Sequence, residues 1–382
     1  MAVKKKKIKH WLPVILVFLL LFSGCGAGGT GEAQERFSEL EKTGELPLQW
    51  AREFSVDRYA GGYDVIRVSD GRTYFVVPEK GTVPDSVPED WTVLQKPLKN
   101  IDVVSSAAMD VFLKLDAMDC VDFTGLPENQ WYLPEVREAM EKGTILYGGK
   151  YSAPDYEQLR SHQCGVAVEN TMIYHTPEVM EQLESLGIPV FVDCSSGEET
   201  PLARLEWLRL YGILLDREEL ADRLLSEQTD YFQKLGEIPS VGKTVAIFSI
   251  NTSGEAVVRT NTDYLASMLE TAGGIYAFSD LKPAGKHVSS TATIAMEQFY
   301  KTAKNTDILI VNSSLTNHCE TLEELKGKSP MFQNMKAVQS GSVYITEDSL
   351  YQSSMELGDI TDEMHRLIQG QDDGLVHFRK LQ

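Results

Sequence analysis

Short apolar runs alternate with helical stretches through most of this chain, and that alternation restricts the fold more than any other feature. Val103-Val104, Thr144-Ile145-Leu146, Val166-Ala167-Val168 and Pro189-Val190-Phe191-Val192 each fit a buried strand. Between them, Ala107 to Leu115, Pro134 to Lys142, Asp155 to His162 and Pro177 to Leu186 carry helical spacing. This is the βαβ rhythm of an open, largely parallel sheet. Residues 201–236 then contain no proline after Pro201 and only Gly212 before Gly236, with Leu, Trp, Tyr and Ile at helical spacing. The pattern predicts one long helix, or two nearly collinear ones broken near Asp216. A second α/β unit follows, with strands at Thr244 to Phe248, Asp307 to Val311 and Gly341 to Ile345 and a helix around Tyr264 to Ala272. The expected architecture is α/β: two Rossmann-like lobes joined by one long helix, with a ligand cleft between them. Ahead of the alternating strands and helices, Tyr63 to Val68 and Thr73 to Val77 flank a Ser69-Asp70-Gly71 turn, and the alternation predicts a hairpin.

The first 25 residues are a different kind of polymer. Lys4 to Lys7 and Lys9 precede an apolar run from Trp11 to Phe22, which ends in Ser23-Gly24-Cys25. A charged segment, a short apolar segment and small residues mark a secretory signal. Twelve apolar residues are too few to cross a bilayer, which takes ~20. Leu21-Phe22-Ser23-Gly24-Cys25 resembles the bacterial lipobox, whose cysteine is lipidated and becomes the first residue of the mature protein. Phe22 departs from the usual Leu at its position. The glycine-rich run from Gly26 to Gly31 then reads as a flexible tether. The expected organisation is a lipoprotein signal at 1–24, a lipidated Cys25 and tether at 25–47, a first lobe at 48–200, an interlobe helix at 201–238 and a second lobe at 239–382. The formal charge is −20, and loss of the five leading lysines makes the mature chain more acidic still. Such a chain repels a phosphate backbone, so nucleic acid is excluded as a partner. Cys120, Cys164, Cys194 and Cys319 include no CxxC pair; one disulfide is possible and none is required.

Motifs of catalysis are missing. Gly242-Lys243-Thr244 fails as a phosphate loop because Glu237 stands where the first glycine belongs and a strand follows. No GxSxG elbow occurs, and the seven histidines form no HxxxH, HExxH or HxH pair. The loops after the strands are informative instead, since ligands of open α/β sheets bind beyond the strands' carboxyl ends. They are rich in hydroxyls and amides, with Tyr151, Tyr174, His175, Arg259 and Tyr351 added. These five are the candidate ligand contacts: rings for a flat organic part, and a cation for an anionic chelate.

The signal, the two lobes and the helix starting near Pro201-Leu202-Ala203-Arg204-Leu205-Glu206-Trp207 together resemble the substrate-binding lipoproteins of ABC importers for ferric siderophores, haem and cobalamin. The closest stretches are Glu169 to Glu178, Leu186 to Val190, Arg204 to Gly212, Ala272 to Tyr276 and Met296 to Tyr300. The resemblance implies no enzyme and no resident cofactor or metal. It implies an extracytoplasmic place on the cell membrane, a permease and its ATPase as partners, and an iron chelate or corrinoid as ligand. It also implies a permease-docking glutamate in each lobe, at Glu157 and Glu297, and a small hinge motion. Ser152-Ala153-Pro154-Asp155 reads as a cap with proline in the first turn, placing Glu157 about one turn into its helix. Thr293 is the expected cap of the helix that carries Glu297. The branch of this fold that takes bare zinc or manganese uses histidines absent here, which favours a chelated ligand.

Overall fold

A computed structural model describes residues 40–283, 290–312 and 319–382. Cys25, the signal, most of the tether, Ser313-Ser314 and His318 lie outside the described residues.

The described residues open with a five-stranded sheet of β1 (Lys42–Glu45), β2 (Phe54–Tyr59), β3 (Tyr63–Val68), β4 (Thr73–Val77) and β5 (Thr92–Gln95), in chain order across the sheet. The expected hairpin is β3–β4, with Arg67 opposite Thr73 and Gly71 at φ +93° in the turn, a backbone that favours glycine. One face of this sheet packs Val56, Ile66, Tyr74 and Val76 into the main core; Tyr59, Val65, Phe75 and Val77 make a small cluster of their own. Two buried glutamates from further along the chain hold the entry to β2. Glu206 accepts the backbone N–H groups of Gln49, Trp50 and Ala51 at 2.8–2.9 Å, and Glu198 accepts those of Arg52 and Glu53.

In the first lobe, β6 (Ile101–Val103) leads into α1 (Ser106–Lys114), then β7 (Val121–Thr124), α2 (Pro134–Glu141) and β8 (Leu146–Tyr147). A two-residue ladder, β9 (Gly149–Lys150) with β10 (Ala153–Pro154), precedes α3 (Tyr156–Ser161), β11 (Val166–Asn170), α4 (Pro177–Ser185) and β12 (Val190–Asp193). The main sheet is parallel in the order β12-β11-β6-β7-β8. Chain order reverses between β6 and β11, the switch point at which doubly wound sheets open a crevice.

The connecting region is α5 (Pro201–Leu205), α6 (Trp207–Leu215) and α7 (Glu218–Gly236). The break near Asp216 is present, but the helices on either side are not collinear. Asp216 takes the left-handed conformation at φ 55°, and the Arg217 N–H closes on the Gly212 carbonyl at 2.8 Å. The chain folds back, so Arg209 reaches Asp222 at 2.7 Å, and a Cβ on Gly212 would sit 2.8 Å from that of Ala221. Only the 19 residues of α7 make a long helix.

The second lobe has β13 (Thr244–Ile250), β14 (Ala256–Arg259), α8 (Tyr264–Thr271), β15 (Ile275–Tyr276), β16 (Thr291–Ile294) and α9 (Met296–Ala303). It continues through β17 (Ile308–Val311), α10 (Leu322–Lys328), α11 (Lys336–Gln339), β18 (Val343–Thr346), α12 (Ser349–Gln352), α13 (Leu357–Gln369) and β19 (Phe378–Lys380). Its sheet runs β16-β14-β13-β17-β18-β19, with β13, β17 and β18 parallel at its centre and β15 beside β13. The four described cysteines are free. Among the described residues, no helix is long and apolar enough to cross a membrane.

Candidate functional site

Three strand ends converge on one cleft of roughly 770 Å³. Ser106 follows β6, and Leu126 and Asn129 to Tyr132 follow β7, with Arg137 one turn into α2. Asp348, Tyr351 and Gln352 follow β18 and form the opposite wall. The loop after β7 is held tightly. Gly125 passes so close to Val104 that a Cβ there would approach its side chain to 2.8 Å, and Trp131 Nε1 donates to the Leu126 carbonyl at 3.2 Å. Trp131 is buried, while Asn129, Gln130, Tyr132 and Arg137 stay exposed along the cleft.

Tyr351 is fixed from behind. Its hydroxyl accepts from the Arg259 guanidinium and from Asn312 Nδ2, the latter at 2.5 Å. Arg259 is 7% exposed and lies 3.4 Å from Asp263 Oδ2, whose other oxygen caps α8. Burial opposes the Arg259 charge, but Tyr351 and Asp263 more than restore it, raising its pKa. This arginine therefore orients Tyr351 and is already compensated.

Beside the cleft the two lobes are sewn together by polar contacts. The Gln352 amide donates to the Gln130 carbonyl at 2.8 Å and accepts the Tyr132 N–H at 2.6 Å. Ser354 donates to the Ala107 carbonyl at 2.6 Å, the Met355 N–H reaches Asp110 Oδ2 at 2.8 Å, and Lys114 pairs with Glu356 at 2.8 Å. Burial pushes Asp110 up to about 6, with the Met355 N–H opposing.

Of the five ligand candidates named from sequence, Tyr351 lines the cleft and Arg259 stands behind it. Tyr151 sits in the turn between β9 and β10. Tyr174 and His175 lie on the 3-10 turn Thr171–His175, where the Tyr174 hydroxyl donates to Asp70 and lies 3.8 Å from Cys194 Sγ. None of these three is among the residues lining the cleft. Sequence reasoning missed Leu126, Asn129 to Tyr132 and Arg137 because it missed β7. Val121 and Phe123 alternating with polar residues before Gly125 and Pro127 are the signal that marks it.

Glu157 and Glu297 both occupy the second position of their helices, α3 and α9, and both are exposed. The capping differs from expectation in each case. Pro154 pairs with Gly149 in the short ladder, so α3 begins only after Asp155, whose carboxylate accepts the Gln158 N–H at 3.0 Å. Glu157 is accordingly in the first turn. Thr293 belongs to β16, opposite Val257, and the residue before α9 is Ala295.

Behind the switch point two acids are buried. Asp102 on β6 and Glu169 on β11 are 1% and 0% exposed; Asp102 Oδ1 and both Glu169 carboxylate oxygens have no hydrogen-bond partner among the described residues. Gly148 closes over Asp102; a Cβ there would stand 3.2 Å from Oδ1. Burial pushes Asp102 up to about 7; burial, then the neighbouring Asp102 charge, pushes Glu169 up to about 8. Both are held as neutral acids at mildly acid pH.

A family model described as periplasmic binding protein matches residues 103–350, from the end of β6 to the cleft helix α12. The chain belongs to the periplasmic binding protein family. It is thus a solute-binding protein and not an enzyme. An uncharacterized lipoprotein of Methanocaldococcus jannaschii is 22% identical over 306 residues, spanning 76% of this chain and 70% of that one. Among solved structures, a petrobactin-binding protein from Bacillus subtilis shares the fold at a TM-score of 0.57 and 14% identity, covering 80% of this chain and 99% of that one. A periplasmic heme binding protein from Pseudomonas aeruginosa is similar at 0.57 and 13% identity over 73% and 95%. A structure from Saccharomonospora viridis described as an ABC-type Fe3+-hydroxamate transport system is similar at 0.55 and 17% identity over 71% and 93%.

Proposed function

We propose that this protein is the lipid-anchored, extracytoplasmic substrate-binding component of an ABC importer, capturing a metal chelate and handing it to a membrane permease. A ferric siderophore is the first choice of ligand, with haem or a corrinoid as the alternative occupant of the same cleft. The observation that carries this reading is the wall chemistry of the interlobe cleft. Rings (Trp131, Tyr132, Tyr351) and side-chain amides (Asn129, Gln130, Gln352) face a space of roughly 770 Å³, the size of an organic ligand. These groups suit the organic shell of a chelate better than a naked ion, which needs several imidazoles, thiolates or carboxylates. Support also comes from relatives whose descriptions name petrobactin, heme and Fe3+-hydroxamate, and from the lipobox resemblance ending at Cys25.

Delivery is assigned to Glu157 and Glu297. Each is an exposed carboxylate on the first turn of a helix, one per lobe, at the same helical position. A permease offering paired arginines would be met by such a pair at two points and so oriented. A thermal-shift panel of ferric siderophores, haem and corrinoids tests the ligand class; a ligand at 100 times its Kd should add ~2.7 kcal/mol. No shift with any of these and a clear one with a sugar or peptide would overturn the reading.

A further inference from the structure

Resting on the chelate reading above, we propose that the cleft selects a ligand without net negative charge. Among the described residues its walls hold one cation, Arg137, and one carboxylate, Asp348. The remaining polar groups are neutral dipoles. Arg259 is the cation that the sequence offered to an anionic chelate, and the fold withdraws it. It is buried behind Tyr351, with its guanidinium already committed to Tyr351 and Asp263.

A trianionic ferric complex entering here would give up hydration and, among the described residues, meet one guanidinium balanced by a carboxylate on the facing wall. The surrounding chain, with a formal charge of −20, adds repulsion at longer range. A neutral chelate gives up far less hydration. Its carbonyls and N–H groups can pair with the exposed amides of Asn129 and Gln130, while its apolar parts lie against Tyr132 and Tyr351.

The test uses two pairs of probes matched by class: ferrichrome against ferric enterobactin, and cyanocobalamin against haem. The first member of each pair is neutral and the second anionic. Quenching of tryptophan fluorescence in the purified protein, titrated at low and high salt, reports affinity. The neutral member of whichever pair binds should be at least about tenfold tighter, and the gap should narrow with salt. Asp348→Lys, an exposed position checked for native circular dichroism, should shift the anionic-to-neutral affinity ratio at least about tenfold toward the anion. Tighter binding of the anionic member overturns the proposal, and so does a ratio indifferent to Asp348→Lys, since shape and not charge would then set the preference. If none of the four binds, the chelate reading beneath it falls as well.

Discussion

Replacing Asp102 by Asn and Glu169 by Gln in one variant removes two buried carboxyls and leaves neutral groups of nearly the same shape. In the folded protein these acids titrate near 7 and 8, against ~3.9 and ~4.3 in an unfolded chain. Between those limits the native state holds protons that the unfolded state has released. The stability they confer is complete below pH ~4 and is lost as pH rises toward the folded values, so the parent protein weakens from pH 5 to 8. Two full protons would give a slope of ~3 kcal/mol per pH unit. Relaxation and water entry reduce this; a third of it still amounts to ~3 kcal/mol over the interval. For a chain of this length that is ~4 °C in Tm. Melting curves by calorimetry across that range should show the variant close to the parent at pH 5 and several degrees above it at pH 8. Parallel Tm profiles would refute the reasoning, because they would mean the carboxyls are paired or solvated in the native state.

Three further outcomes follow from the seam, the docking helices and the anchor. Gln352→Ala removes two hydrogen bonds between the lobes, at 2.8 and 2.6 Å. It should cost ~1–3 kcal/mol of the closed state and speed ligand release by about tenfold or more in stopped-flow dissociation; an unchanged release rate would show that the seam does not hold the lobes closed. Glu157→Ala with Glu297→Ala should leave ligand affinity nearly intact while uptake falls strongly and loses its salt dependence; collapse of ligand binding, or untouched uptake, contradicts the docking role. Cys25→Ser should yield protein that no longer labels with fatty acid or fractionates with membranes, and unchanged labelling would remove the lipoprotein assignment.

The helices were legible in the sequence where local chemistry starts them. Pro134, Pro177 and Pro201 each stand at the first helical position, and the helices begin there. The break at Asp216 was also visible, but its direction was not. Whether a chain continues or reverses after a left-handed residue depends on what can pack, and the decisive contact, Gly212 against Ala221, lies across the turn. The same limit explains the ligand site. Tyr351 could be named as a residue after a strand, yet its partner across the cleft is a loop following β7, and β7 is short and half polar. Gln352 meets Gln130 and Tyr132 from more than 200 positions away, a pairing that no local pattern announces. Arg259 and Asp263 are only four apart, but the sequence shows them as two charges and not as a buried, mutually satisfied pair.

The acidity of the chain ties the two ends of the proposed cycle together. A net charge of −20 on the whole sequence is more than two docking carboxylates require. In a transporter whose binding-protein face carries arginines, that charge speeds encounter over distances of about a Debye length, while Glu157 and Glu297 set the final orientation. The same field would penalise an anionic ligand before it reached the cleft unless the walls answered with several free cations. The described walls offer Arg137 facing Asp348, and Arg259 is spent behind Tyr351. A strongly acidic surface and a charge-balanced cleft are therefore compatible with one ligand class in particular, an uncharged or cationic chelate. Affinity for an uncharged ligand should be nearly independent of salt while docking is not, and measuring both salt slopes on one protein separates the two roles.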